Sequence, residues 1–79
     1  MDLYDKQKLT NREKQCLQLL ASGHSSDEIS DILSISKHTV NFHLKNSRNK
    51  LKARNRTHAV VLAITGDIIT PGSFKSDYS

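Results

Sequence analysis

With 79 residues the chain holds one domain at most, with a core that buries only about 60% of its unfolded surface. The formal charge is +4, and Cys16 is the single cysteine, which excludes an internal disulfide and argues for no oxidising compartment. No apolar run is long enough to span a membrane and no charged-then-apolar signal opens the chain, so the expected location is the cytoplasm.

Residues 1–8 are polar, lack periodicity and read as a flexible arm or the remnant of a linker. Thr10 and Glu13 then have the spacing of a capping box, in which each side chain bonds the other residue's free backbone N–H. The helix they open buries Cys16, Leu17 and Leu20, with Leu19 near the edge, and Gly23 ends it in a left-handed turn. Ser25 and Glu28 repeat the capping spacing, so a second helix starts at about Ser26, with Ile29, Ile32 and Leu33 as its apolar face. A short turn through Ile35 leads to Ser36, which caps a third helix running to about Lys52. Asn55 caps a fourth, Arg56 to about Thr65, with Gly66 as the stop. Residues 66–79, with Pro71 and Gly72, read as a C-terminal tail that is largely mobile beyond about Ile69. The expected fold is all-α: four helices joined by short turns over residues 9–65.

Charge divides the chain. Residues 1–36 carry four bases and six acids, whereas no acid occurs between Lys37 and His58, a stretch that holds seven bases. At roughly 100° per residue, Val40, Leu44, Ser47 and Leu51 share the buried side of the third helix. His38, Asn41, Phe42, Lys45, Asn46, Asn49 and Lys52 fall on the other side. A merely solvated helix face would mix both signs to gain i,i+4 pairs. Cations with interspersed amides instead suit a duplex: Lys and Arg neutralise phosphates, and Asn matches the donor/acceptor edge of adenine. An anionic lipid surface fits less well, because no helix joins the basic face to a free Leu/Phe/Trp face. The bland alternative is a basic face that only keeps the protein soluble.

The segments LTNREKQCLQLLASGHSSDEIS and LSISKHTVNFHLKNSRNKLKARNRTHAVVLAI are similar to the DNA-binding domain of LuxR/FixJ-type (GerE-like) bacterial transcription regulators. Leu9, Thr10, Arg12, Glu13, Gly23, Glu28, Thr39, Val40, His43, Lys50, Leu51 and Arg56 are among the residues that carry the likeness, which runs without a gap to about Ile64. It implies a helix-turn-helix domain whose third helix is the recognition helix in the major groove and whose fourth is the dimer contact. Carried over by position from Thr39, the base contacts are Asn41, Phe42 and Lys45, all of which the helical wheel also places outward. Lys37, Thr39, Asn46, Arg48, Lys50 and Arg54 are the phosphate contacts. On the fourth helix Ala59, Val60, Ala63 and Ile64 close the core, while His58, Val61, Leu62 and Thr65 form the dimer interface. The implied partners are double-stranded DNA, a second copy of the chain and RNA polymerase. The resemblance also implies that a sensor or phosphoacceptor domain precedes the domain in relatives.

Other chemistries are weaker. His38 and His43 point about 140° apart and no C-x-x-C or H-x-x-x-H pair exists, so neither a metal nor any other cofactor is expected. Cys16 reads as a small core residue and the serines as helix caps, so no enzyme is expected. Two functions remain: a sequence-specific DNA-binding transcription regulator acting as a dimer on a palindromic operator, or a non-enzymatic protein-interaction module that titrates a partner regulator.

Overall fold

The computed structural model describes residues 9–70. Four helices follow in order: α1 (Asn11–Ala21), α2 (Ser26–Leu33), α3 (Lys37–Lys50) and α4 (Arg56–Thr65). Each begins where the sequence supplies a capping side chain. Thr10 Oγ1 accepts from the Glu13 N–H at 3.0 Å, and Glu13 Oε1 accepts from the Thr10 N–H at 2.9 Å. Ser25 and Glu28 reproduce this exchange at 3.2 and 2.9 Å. The Ser25 N–H, and next to it His24, hold the Glu28 carboxyl below its ordinary pKa. Ser36 Oγ accepts from the Thr39 N–H at 3.0 Å, and Asn55 Oδ1 from the His58 N–H at 2.8 Å.

The helix ends obey one rule as well. After each helix a residue takes a left-handed conformation: Gly23 (φ 99°), Ser34 (φ 57°), Lys52 (φ 58°) and Asp67 (φ 59°). The N–H of the next residue then reaches back five positions, from His24 to Leu19 O, Ile35 to Ser30 O, Ala53 to Arg48 O and Ile68 to Ala63 O, at 2.8–3.1 Å. These bonds satisfy carbonyls that a helix end leaves open. α4 ends at Thr65 with Gly66 as its C-cap, as expected, although Gly66 has φ −90° and the left-handed residue is Asp67.

α1 crosses all three other helices, and α3 packs on the same centre. Val40, Leu44, Ser47 and Leu51 are all buried, as the wheel requires, together with Cys16, Leu17, Ile29, Ala59 and Ala63. The gap in the α3 stripe is filled without an unsatisfied hydroxyl, since Ser47 Oγ donates to His43 O at 2.8 Å. Burial pushes the Cys16 thiol above its ordinary pKa of 9.0, against the pull of the Arg12 charge.

Two expectations for the core are corrected. Leu19 is buried and Leu20 only half-buried, because residues 68–69 fold back over the Leu19 side of α1. Ile32 is 51% exposed, on the rim of a groove of about 290 Å³ that Leu19, Leu33 and Ile68 also line. The chain stays packed past α4, up to the point where mobility was expected to begin: Ile69 is buried, and the Gln18 amide both donates to the Thr70 carbonyl and accepts from the Thr70 N–H, the latter at 3.1 Å. Expectations for residues 1–8 and 71–79 lie outside the described residues.

Candidate nucleic-acid interface

α3 divides into four strips along its axis, and its neighbours identify each. The strip Val40, Leu44, Ser47, Leu51 is buried. Opposite it, at the same spacing, His38, Phe42, Lys45 and Asn49 are all exposed, Phe42 at 56%. The Phe42 ring meets the His43 ring edge-on, with centroids 6.0 Å apart. No acid stands on this ridge, and it offers an aromatic face, an amide and a flexible cation to whatever approaches.

The two flanks are committed to neighbouring helices. On one, the Lys50 ammonium lies 2.9 and 3.1 Å from the two carboxylate oxygens of Glu13 on α1. The Glu13 side chain is 3% exposed and that of Lys50 32%. The expected phosphate contact Lys50 is thus turned inward, onto a carboxylate that α1 presents at its own capping box. The same flank holds Thr39, whose hydroxyl bonds Ser36 Oγ at 2.8 Å, and the half-buried Asn46.

On the other flank Asn41 is half-buried and its Oδ1 accepts twice, from Ser26 Oγ at 2.9 Å and from Arg56 Nη2 at 3.3 Å. Arg56 Nη1 also donates to Ser26 Oγ at 3.1 Å. Asn41 therefore does not project freely, as Phe42 and Lys45 do. The N-termini of α2 and α4 grip it.

Of the remaining cations, Lys45, Lys52 and Arg54 are exposed and Arg48 half-buried. Lys37 is exposed and stands 3.4 Å from Asp27, a solvated pair of little energetic weight. Glu13, Ser26 and Arg56 were not legible as site residues. Glu13 and the N-terminus of α2 already had an explanation as capping groups, and the partners of Arg56 lie 15 and 30 positions away.

The outer face of α4 differs from the wheel. Ala59 and Ala63 are buried, Val60 and Ile64 half-buried, and Val61 is 49% exposed. Leu62, assigned to the dimer face, is half-buried and packs on the core. His58 turns to its own turn, where Nδ1 accepts from the Arg54 N–H at 3.0 Å. Thr65 is exposed, and its hydroxyl donates to Leu62 O. Val60 and Ile64 pack on the core as Leu62 does, as the wheel requires of them, so Val61 is the exposed apolar residue of α4.

The family model for bacterial regulatory proteins of the luxR family matches residues 7–63, well over half of the chain. The chain belongs to the luxR family. It is 48% identical over 63 residues to the transcriptional activator protein VanR of Vibrio anguillarum, and 48% identical over 64 residues to the transcriptional activator protein LuxR of Aliivibrio fischeri. Each match covers 80% of this chain and 26% of the relative, so the chain spans about a quarter of the length of these activators. Among solved structures, the transcription factor GerE superposes with a TM-score of 0.76 at 34% identity, covering 78% of this chain and 92% of that one. The four helices are thus those of a luxR-family helix-turn-helix domain, the domain of bacterial transcription regulators and not of enzymes. Among the described residues no helix is long and apolar enough to cross a membrane.

Proposed function

We propose that the chain binds double-stranded DNA by laying the ridge of α3 in the major groove, as part of a transcription regulator. The observation that carries this is the acid-free ridge His38, Phe42, Lys45, Asn49, flanked by Arg48 and Arg54. Phe42 and Lys45 meet base edges with Asn41 beside them, while Lys37, Thr39, Asn46, Arg48 and Arg54 hold phosphates. A module that merely titrates a protein partner has no use for such a ridge. Two copies load on a palindromic operator through the outer face of α4 around Val61 and Thr65, a patch small enough for the pair to form on DNA rather than in dilute solution. In this reading the regulator works in the cytoplasm, and RNA polymerase is its further partner.

The test is binding to a random duplex against salt concentration. Three phosphate-bound cations per copy give a slope of log K on log salt of about −2.7. A slope near zero would refute DNA binding and favour the protein-titration reading. On a palindromic duplex, Val61→Asp should load one copy where the unaltered chain loads two, read by sedimentation. Equal stoichiometry would remove α4 from the assembly.

A further inference from the structure

We propose that Arg56 is a positioning residue: it fixes the Asn41 amide so that only the NH₂ group faces a duplex, and the base read there is guanine or thymine, not adenine. The inference rests on the reading of α3 as the element in the major groove.

A guanidinium donates and never accepts. The Asn41 atom 3.3 Å from Arg56 Nη2 must therefore be the carbonyl oxygen, which settles the orientation of the amide. Ser26 Oγ accepts from Arg56 Nη1 at 3.1 Å, so its own hydrogen is directed to Asn41 Oδ1 at 2.9 Å. A carbonyl oxygen has two lone pairs, and both are now used. What remains on the half-exposed side chain is Nδ2 with its two N–H donors.

Asn recognises adenine in two-point fashion, by accepting from N6 and donating to N7. Asn41 keeps the second of these bonds but has no acceptor left for the first, so at adenine its other N–H meets the N6 amino group donor to donor, a conflict that guanine and thymine do not present. Guanine offers acceptors at both N7 and O6, and thymine offers O4. Cytosine presents an amino donor and meets donors only. The general preference of Asn for adenine is thus inverted here by two residues that themselves touch no base.

The experiment selects duplexes from a randomised pool with the full chain, and with Asn41→Ala, Ser26→Ala and Arg56→Met. The position whose preference disappears in Asn41→Ala should hold guanine or thymine. If guanine, 7-deazaguanine there should weaken the unaltered chain by up to about tenfold and leave Asn41→Ala unaffected. Arg56→Met frees one lone pair, so adenine should gain on the order of tenfold at that position alone, and gain nothing in the double variant with Asn41→Ala. Ser26→Ala should shift preference in the same direction, and keeps the test open should Arg56→Met fold poorly. Adenine at that position in the unaltered chain overturns the inference. So does Asn41→Ala with every preference intact, or an equal loss on all sequences from both Arg56→Met and Ser26→Ala. Each of these results leaves DNA binding standing, whereas absence of salt-dependent binding to any duplex overturns both.

Discussion

Replacing Lys50 by Met keeps most of the stem and removes the charge. Glu13 then keeps its carboxylate at 3% exposure with one bond left, to the Thr10 N–H. Breaking a fully buried pair costs about 3–5 kcal/mol, because the surviving charge has lost both partner and water. Lys50 is a third exposed, so water reaches this pair, and a discounted loss of about 2 kcal/mol follows. For a domain of this size, with a total stability of roughly 4–12 kcal/mol, that lowers Tm by about 8–16 °C. Glu13→Gln should cost about half as much, since a Gln still closes the capping box and the cation left behind is the more exposed partner. Thermal unfolding at low protein concentration measures both. The competing assignment, a phosphate contact, predicts the opposite pattern: an unchanged Tm and a salt slope for random DNA shallower by about 0.9. A Tm within about 2 °C of the unaltered chain, together with that change in slope, would refute the inward role of Lys50.

Ser34→Gly removes the penalty of a left-handed side-chain residue, roughly 1–2 kcal/mol, and adds about 0.4–1 kcal/mol of unfolded-chain entropy. The urea midpoint should therefore rise by the equivalent of about 0.5–1 kcal/mol. Ile69→Ala should cost about 2 kcal/mol or more in a thermal melt, whereas a residue in a free tail would cost nothing. Cys16 is fully buried with its thiol pKa raised above 9.0, so iodoacetamide should modify it at the rate of unfolding, accelerating in denaturant. The unfolded thiol ionises before the folded one, so this group's contribution to stability is complete below about pH 9 and declines above it. The decline should be absent from Cys16→Val when urea midpoints at pH 8 and pH 10 are compared.

The helix starts were legible because each is written locally: Thr10, Ser25, Ser36 and Asn55 sit where a short polar side chain can reach a first-turn N–H. The buried strip of α3 was legible because four residues at helical spacing suffice to define a face. The ends were less so. The left-handed turn announces itself through glycine at Gly23, but Ser34, Lys52 and Asp67 adopt it with side chains in place. Gly66 marked the end of α4 correctly, but as the C-cap and not as the left-handed residue. Residues that already had an explanation hid a second role. The capping box accounted for Glu13 and the basic strip for Lys50, so nothing local pointed to a contact across 37 positions. The Leu19/Leu20 reversal and the covered Leu62 have a similar origin. A helical wheel orders residues about one axis, but which side is deepest depends on neighbours that the wheel does not contain.

The two gripped flanks of α3 have a mechanical consequence. Lys50 is pinned to α1 on one side and Asn41 to the starts of α2 and α4 on the other, so the helix is keyed against rolling about its own axis. A roll of about 20° would carry an atom at the side-chain radius of ~5.5 Å through about 2 Å. That is more than a hydrogen bond tolerates, and both locks would open together. If α3 enters a duplex as proposed, a domain held in this way would meet it as a rigid tooth rather than a pliant finger. Little rotational freedom is left to lose on docking. Any mismatch of angle must then be absorbed by the duplex, through the bend and groove width that its base steps allow.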